Sequence, residues 1–480
     1  MNQHTVEKIG GTSMSNYAAV RDNVVLQQGN LTNLYQRVFV VSAYSGITDM
    51  LLEHKKSGEP GIYALFASAQ SDDRGWKGAF DALRERVHNI NSELFGEGAA
   101  LTDADRFIDE RLDDAEGCLC DLERLCQHGH FALATHLHTV REMLASIGEA
   151  HSARNMAELL KRDGVNARFI DLSGWKSKAQ LSLDDRVLEG FEGVDLATEL
   201  PIVTGYTHAE NGLMATFDRG YSEMTFSRVA VLTEAREAVI HKEFHLSSAD
   251  PRLAGEDNVV PIGRTNYDVA DQLANLGMEA IHPRAAKGLR QQKIALRVKN
   301  TFEPEHDGTL ITSDYISKSP RVEIIAGRKN VFAIEVFDQD MMGSLCEYDT
   351  GILEIIGRFK AEIITKDSNA NSITHFLAGN LKTVKRIKAV LEEAYPESEV
   401  EVRKVAIVSA IGSDMKVPGI LAQAVTALAD ANISVEAMHQ SMRQVDMQFI
   451  VDESDYELAV KSLHKGLVEV HQHDGAICAA

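Results

Sequence analysis

The segment Lys8-Ile9-Gly10-Gly11-Thr12-Ser13 gathers in six residues the groups that a phosphate-handling site needs. Two glycines at a strand end let backbone amides approach phosphate oxygens. A helix starting there adds the partial positive charge of its N-terminus, and Lys8 adds a full charge. Together they suit a triphosphate. The order is neither that of a Walker loop, where the lysine follows the glycines, nor that of a G-x-G-x-x-G dinucleotide turn. A glycine pair after a strand is also an ordinary tight turn, so the surrounding elements have to decide.

Those elements read as an α/β fold. Val6 to Ile9 forms a strand, Val20 and Val24 stand at helical spacing, and Val38 to Val41 forms a second, buried strand. Between 61 and 160 the pattern turns helical: Phe80, Leu83, Val87, Ile90 and Leu94 recur at three- and four-residue intervals, and Thr102 with Asp105 resembles a helix start. Strands resume at Ala167 to Ile170, Leu200 to Val203 and Ile294 to Val298. A first domain, residues 1 to 310, is expected. Beyond about 330, Val331 to Phe337 with Gly351-Ile352-Leu353 parallels Val405 to Ala410 with Gly419-Ile420-Leu421. A repeat of roughly 70 residues makes a pair of small α+β modules, at 325 to 398 and 399 to 475, because a solenoid needs at least three units.

Composition narrows the class. A chain of 480 residues, 44% apolar and 25% charged with nine prolines, is expected to fold into two to four domains with little linker. The formal charge of −22 opposes binding to nucleic acid or anionic lipid. There is no basic stretch followed by an apolar run at the N-terminus, and no stretch nears the ~18 apolar residues of a membrane span, so a cytoplasmic protein is expected. Five cysteines, an odd number unevenly spread, make no disulfide framework. Cys120 and Cys126 lie near His128, His130, His136 and His138, but the spacing matches no common zinc pattern, and no metal site is assigned.

Nearly the whole chain resembles the aspartokinases. Residues 8 to 14 are similar to that family's K-F-G-G-T-S-V signature, with Ile9 and Met14 as departures, and Ser42-Ala43-Tyr44-Ser45-Gly46-Ile47-Thr48 to its S-A-M-S-G-V-T turn. Gly148-Glu149 with Ser152 and Arg154 resembles G-E-x-x-S-x-R, and Val203-Thr204-Gly205-Tyr206 resembles V-T-G-F. Asp250-Pro251-Arg252, His282-Pro283 and Asn300-Thr301-Phe302 follow in the family's order. The resemblance implies an amino-acid-kinase-type α/β sandwich with a helical subregion, followed by two ACT-like α+β regulatory domains, one of which usually interrupts the other. It also implies a homodimer or higher homo-oligomer assembled through them.

The activity so implied is phosphorylation of the side-chain carboxylate of L-aspartate by ATP with Mg2+. Such a transfer asks the protein mainly for positioning and charge neutralisation, and an ionised carboxylate needs no general base. By resemblance, Lys8, Gly10 and Gly11 serve catalysis and, with Ser13, Ser42 and Arg252, the nucleotide. Arg219 clamps the α-carboxylate of aspartate, and Thr48, Glu149, Ser222 and Glu223 surround the rest. The rivals are another amino-acid kinase acting on a different carboxylate, and a catalytically silent ACT protein that senses an amino acid.

Three departures stand out. R-G-G-S-D becomes Arg219-Gly220-Tyr221-Ser222-Glu223, which restricts the backbone at a site where φ > 0 is a concern. The T-D-V strand becomes Ile240-His241-Lys242-Glu243-Phe244, and G-A-K becomes Gly277-Met278-Glu279, a charge reversal that Lys242 could offset. They resemble a diverged branch of aspartokinases found with ectoine biosynthesis genes in salt-tolerant bacteria. In the first ACT-like module, Gly351 to Lys360 falls about four residues short of Gly419 to Asn432 in the second, roughly one helical turn, and Glu347 and Asp349 are expected in the loop leading to that helix. Both features argue for a weak response to lysine and threonine.

Overall fold

The computed structural model describes residues 3–27, 34–55, 57–68, 74–217, 220–278, 280–471 and 476–478. In chain order the strands are β1 (Thr5–Ile9), β2 (Arg37–Val41), β3 (Ala167–Ile170), β4 (Leu200–Thr204), β5 (Glu237–Lys242), β6 (Arg264–Asn266) and β7 (Ala295–Asn300). They continue with β8 (Thr309–Thr312), β9 (Ile324–Phe337), β10 (Glu362–Ser368), β11 (Ser372–Ala378), β12 (Glu399–Ile411), β13 (Val435–Gln440) and β14 (Asp446–Asp452). The chain divides into two compact units, residues 1–245 with 281–308, and residues 246–280 with 309–480.

In the first unit β3, β4, β2, β1, β5 and β7 lie side by side, every pair parallel. All five residues of Arg37–Val41 and of Leu200–Thr204 are buried, as expected of near-continuous apolar runs covered on both faces. The helical region consists of Ile62–Ser68, Arg74–Phe95, Ala99–Cys126 and Leu137–Arg162. Trp76, Phe80, Leu83 and Val87 meet Ile108, Leu112, Ala115 and Leu119 in one core, where each Val, Leu, Ile or Phe side chain contributes roughly 1.5–3 kcal/mol by leaving water.

Two local expectations change. Thr102 does not cap its helix: the helix begins at Ala99 behind Gly98 (φ 126°), and the Thr102 hydroxyl turns back to the Gly98 carbonyl. Val20 and Val24 are buried, but on a π-helical turn, Val20–Val25, which apolar spacing cannot tell from an α-helix.

In the second unit β6 and β8 pair in parallel, and Asn266 caps the helix Tyr267–Asn275 by accepting from the Val269 amide. The expected repeat forms a single six-stranded sheet, ordered β10, β11, β9, β12, β14, β13, with antiparallel pairings. The long β9 runs beside β12 along both halves. Its first residues, Ile324 to Ala326, pack with the second module's helices Ile420–Asp430 and Tyr456–Leu467, whereas Phe332, Ile334 and Val336 pack with the first module's helices Leu345–Arg358 and Leu381–Ala394. One strand therefore serves two cores.

The expected shortening of the first module's helix is not found. That helix spans Leu345–Arg358, 14 residues against 11 in Ile420–Asp430. Gly419 is the N-cap of its helix, with φ 86°, but Gly351 lies inside its own, where a Cβ would run into the Tyr395 hydroxyl. The two glycines look alike in sequence for different physical reasons. Glu347 and Asp349 accordingly sit on the helix, and Asp349 is paired with Lys366 at 2.8 Å. The structural basis for a weak effector response is removed.

Candidate active site

β1 carries Lys8 between Val40 of β2 and Ile240 of β5, with the residue only 8% exposed. Burial of an ammonium in a parallel sheet is unfavourable without a counter-charge, and its field is felt at the carboxyl of Glu149. Beyond β1 the backbone turns at Gly10 (φ −72°, ψ 161°) into a helix of only four residues, Gly11–Met14. The N-terminal charge expected of a long helix is therefore reduced to that of one turn, and close backbone approach is the contribution that remains. Gly11 is required by packing: a Cβ there would lie 2.6 Å from the Ala43 carbonyl oxygen. At Gly10 a Cβ would meet nothing nearer than the His241 carbonyl at 3.8 Å, and φ is negative. Neither conformation nor packing asks for glycine at position 10.

Glu149 lies in the middle of the helix Leu137–Arg162, almost every residue of which from Leu144 to Leu160 is buried. It is 1% exposed, and its Oε1 accepts a hydrogen bond from Ser222 Oγ at 2.5 Å. Burial outweighs the Ser222 hydroxyl, the Lys8 charge and smaller contributions from Ala43 and Tyr221, and pushes the Glu149 carboxyl up to about 8. Gly205, just past β4, leaves room for this carboxylate, since a Cβ there would come to 2.9 Å from Oε2. Ser152, one turn along, donates to the carbonyls of Ser42 and Glu149 and so ties the helix to the end of β2.

Sequence reasoning passed over Glu142. It precedes Glu149 by seven residues, two turns on one helix face, and is 7% exposed. Its carboxylate accepts from Tyr206 Oη at 2.7 Å and from the amides of Leu213 and Ala215 at 3.0 Å. Tyr206 in turn meets Tyr221 edge to face, with ring centroids 5.6 Å apart. Tyr221 opens the helix Tyr221–Leu232 with ordinary helical backbone, so the feared demand for φ > 0 is absent. Gly220 is the restricted position, because a Cβ there would lie 2.7 Å from the His282 ring.

The remaining candidates are placed as follows. Ser42, half-buried at the end of β2, gives its amide to Ile9 O, and Thr48 is half-buried on the short helix Ile47–Leu51. The Ser13 hydroxyl is buried and shares a 3.1 Å hydrogen bond with Thr301. Glu223 turns its carboxylate to the His282 amide, tying the start of its helix to His282-Pro283. Arg252 belongs to the second unit, where its side chain is 89% exposed and paired with Asp250. Arg219 and Glu279 lie outside the described residues. In the departed T-D-V strand, His241 is buried and shares Glu7 with Arg37: Glu7 Oε2 lies 2.8 Å from His241 Nε2, and Oε1 lies 2.7 Å from Arg37 Nε. Burial opposes ionisation of Glu7, but Arg37 and His241 outweigh it and hold the carboxyl far below its usual range.

A parallel sheet with a buried lysine and glycine turn at its centre, joined to a pair of small antiparallel modules, defines a class that sequence comparison also finds. Residues 3–300 match the amino acid kinase family and residues 408–467 an ACT domain. The aspartate kinase Ask_Ect of Stutzerimonas stutzeri is 57% identical over 477 residues, covering 99% of this chain and 100% of its own. The aspartokinase of Candida albicans is 26% identical, over 97% of this chain and 90% of its own. The fold is similar to that of E. coli aspartokinase III in complex with aspartate and ADP, with a TM-score of 0.73 at 20% identity over 97% of this chain and 99% of that one. The chain belongs to the aspartokinase branch of the amino acid kinase family.

Proposed function

We propose that this chain transfers the γ-phosphoryl group of ATP to the side-chain carboxylate of L-aspartate, giving 4-phospho-L-aspartate. The observation that carries this reading is the buried Glu149–Ser222 pair within the field of Lys8. An internal carboxyl beside a hydroxyl suits the α-ammonium of an amino-acid acceptor, and a neighbouring ammonium suits the phosphoryl group that the acceptor receives. The glycine at position 10, which the fold itself does not require, supports close approach by a phosphate. The E. coli relative of similar fold was solved with aspartate and ADP.

In this reading Lys8 neutralises charge on the transferring group, Glu149 and Ser222 hold the acceptor's ammonium, Thr48 helps to orient the acceptor, and Arg219 clamps the α-carboxylate. The attacking carboxylate is already ionised, so the chain's task is alignment and exclusion of water. Among the described residues no group of three His, Cys, Asp or Glu side chains is arranged to hold a metal ion. Mg2+ would arrive as the ATP chelate, its charge balancing the phosphates.

The catalytic region is proposed as residues 1 to 310, the regulatory modules as 325 to 398 and 399 to 475, and the assembly as a cytoplasmic homo-oligomer feeding aspartyl phosphate to ectoine synthesis. No helix among the described residues is long and apolar enough to cross a membrane. Trapping the acyl phosphate with hydroxylamine tests the chemistry. Hydroxamate formed from aspartate, and neither from glutamate nor from N-acetylglutamate, is the expected result; its absence with aspartate overturns the assignment.

A further inference from the structure

Ser248, His464 and Glu469 form a hydrogen-bonded chain within the second unit. The Ser248 hydroxyl lies 2.9 Å from His464 Nε2, and His464 Nδ1 lies 2.8 Å from Glu469 Oε1. A carboxylate only accepts, so Nδ1 carries the ring proton at that end and Nε2 is left to accept from Ser248. The hydroxyl oxygen itself accepts from the Val260 amide at 3.0 Å, which agrees with this tautomer. The order of groups is that of a hydrolytic triad, but Ser248 and His464 are both fully buried. A substrate has no access to the hydroxyl, so the role of an activated nucleophile does not fit. A positioning role does.

The backbone of Ser248 shows what is held. Its amide donates to the Val260 carbonyl at 2.9 Å, and its own carbonyl accepts from the Ile325 amide of β9 at 2.7 Å. Ser248 and Val260 lie in the stretch matching the amino acid kinase family, whereas β9 belongs to the six-stranded sheet and His464 to the helix Tyr456–Leu467 that covers it. One residue thus joins the two. Two positions on, Asp250 caps the helix Pro251–Ala254 by accepting from the Arg252 amide at 2.9 Å. The charges of Asp250 and Arg252 are both felt at the phenol of Tyr456, which stands on the same helix as His464. A helix of four residues has almost no stability of its own, so its place is set by the anchors of the chain beside it. The Arg252 side chain is 89% exposed, and only that anchoring decides where its guanidinium is presented.

We propose that His464, oriented by Glu469, is a positioning residue for the nucleotide: through Ser248 it fixes the segment that presents Arg252 to the phosphates. The proposal rests on the assignment of Arg252 to the nucleotide. Without the imidazole, the Ser248 hydroxyl loses its buried acceptor and the segment Ser248–Arg252 loses its side-chain tie to the helix Tyr456–Leu467. Binding of a nucleotide must then order that segment as well, and the cost falls on nucleotide affinity. The acceptor amino acid, which Arg252 is not assigned to touch, is spared.

The test uses the full chain and measures ADP affinity by calorimetry with Mg2+ present, together with the KM values for ATP and aspartate. Calorimetry with ADP needs no acceptor, so it reads out whichever amino acid is the substrate. Ser248→Ala and His464→Leu should each weaken ADP binding and raise the KM for ATP by about three- to tenfold, the loss of one buried hydrogen bond. The KM for aspartate and kcat should stay close to wild type. His464→Gln, whose amide oxygen can take the Ser248 proton, should restore most of the affinity. Arg252→Ala should weaken ADP binding by itself, and adding His464→Leu to it should cost little more, because His464 acts through Arg252. Circular dichroism confirms folding; should His464→Leu fail to fold, Ser248→Ala, which removes a single oxygen, carries the test. Unchanged ADP affinity in folded Ser248→Ala overturns the proposal, as does an equal rise in both KM values or full additivity of His464→Leu with Arg252→Ala. Normal ADP binding by Arg252→Ala overturns the assignment of Arg252 and the proposal with it.

Discussion

Ser222 donates a 2.5 Å hydrogen bond to Glu149 across 73 residues of sequence, and with it the start of the helix Tyr221–Leu232 is locked to the middle of Leu137–Arg162. The bond is short because its acceptor is removed from water, yet burial still wins over it and keeps the carboxyl protonated at neutral pH.

That balance sets a pH dependence. The folded-state value of Glu149 is raised from 4.5 to about 8, so its contribution to stability is fully present below 4.5 and is lost as pH rises through about 8. Binding of the aspartate ammonium requires the ionised form. The KM for aspartate should therefore fall as pH rises toward 8, with protons released on binding, while Glu149→Gln should flatten the stability slope and weaken aspartate binding at every pH. Calorimetry in buffers of different ionisation enthalpy measures the release; no proton exchange near pH 7 would count against the buried acid.

Lys8→Ala should lower kcat by on the order of 10²-fold or more, the usual loss when a preorganised charge at a transferring group is removed. Because Lys8 is buried without an ion-pair partner among the described residues, folding should not suffer. Circular dichroism and steady-state rates on the same preparation decide the matter; near-normal turnover in the folded variant would refute the assignment.

Arg219→Ala should raise the KM for aspartate far more than that for ATP, and Arg219→Lys should rescue poorly, since a point charge cannot reproduce a two-pronged carboxylate contact. Initial rates over a grid of both substrates separate the two constants. Equal loss for both substrates would speak for a collapsed pocket.

In the first regulatory module, Gly351→Ala should show coupling with Tyr395. Ala normally stabilises a helix interior by ~0.5–1 kcal/mol relative to Gly, but here its methyl meets the Tyr395 hydroxyl, and that ring is stacked on Tyr348 with centroids 5.0 Å apart. The gain should appear only in the Tyr395→Phe background. A double-mutant cycle by urea unfolding tests this, and additivity within error would reject the contact.

His375 gives the opposite pH sign to Glu149. It is fully buried, and burial, aided by Lys366 and opposed by Asp349, lowers it from 6.5 to about 4. The neutral ring is favoured in the fold, so the stability it supports is present above 6.5 and is lost as pH falls toward 4. His375→Leu should reduce the acid sensitivity of unfolding in that window, read from melting temperatures across a pH series.

Much of the strand layout was legible in sequence because it depends on neighbours in the chain. The apolar runs at Val38 to Val41 and Leu200 to Val203 have no face to show to water, and so became interior parallel strands. Lys8 with the glycine pair, and the ordered motifs running to Asn300-Thr301-Phe302, carried the family without any coordinates.

What only the tertiary structure decided depends on groups brought together from far apart. The motif singles out Glu149 in sequence but says nothing of its protonation; its burial beneath Gly205 and beside Ser222 is what changes its proton affinity. Gly351 and Gly419 occupy matching places in the repeat, but one faces the Tyr395 hydroxyl and the other caps a helix in the left-handed region, so a spacing argument that equated them misjudged the length of the first module's helix. Local pattern fixes which face of an element is apolar, whereas protonation, close approach and unsatisfied buried groups are set by whatever distant segment the fold places opposite.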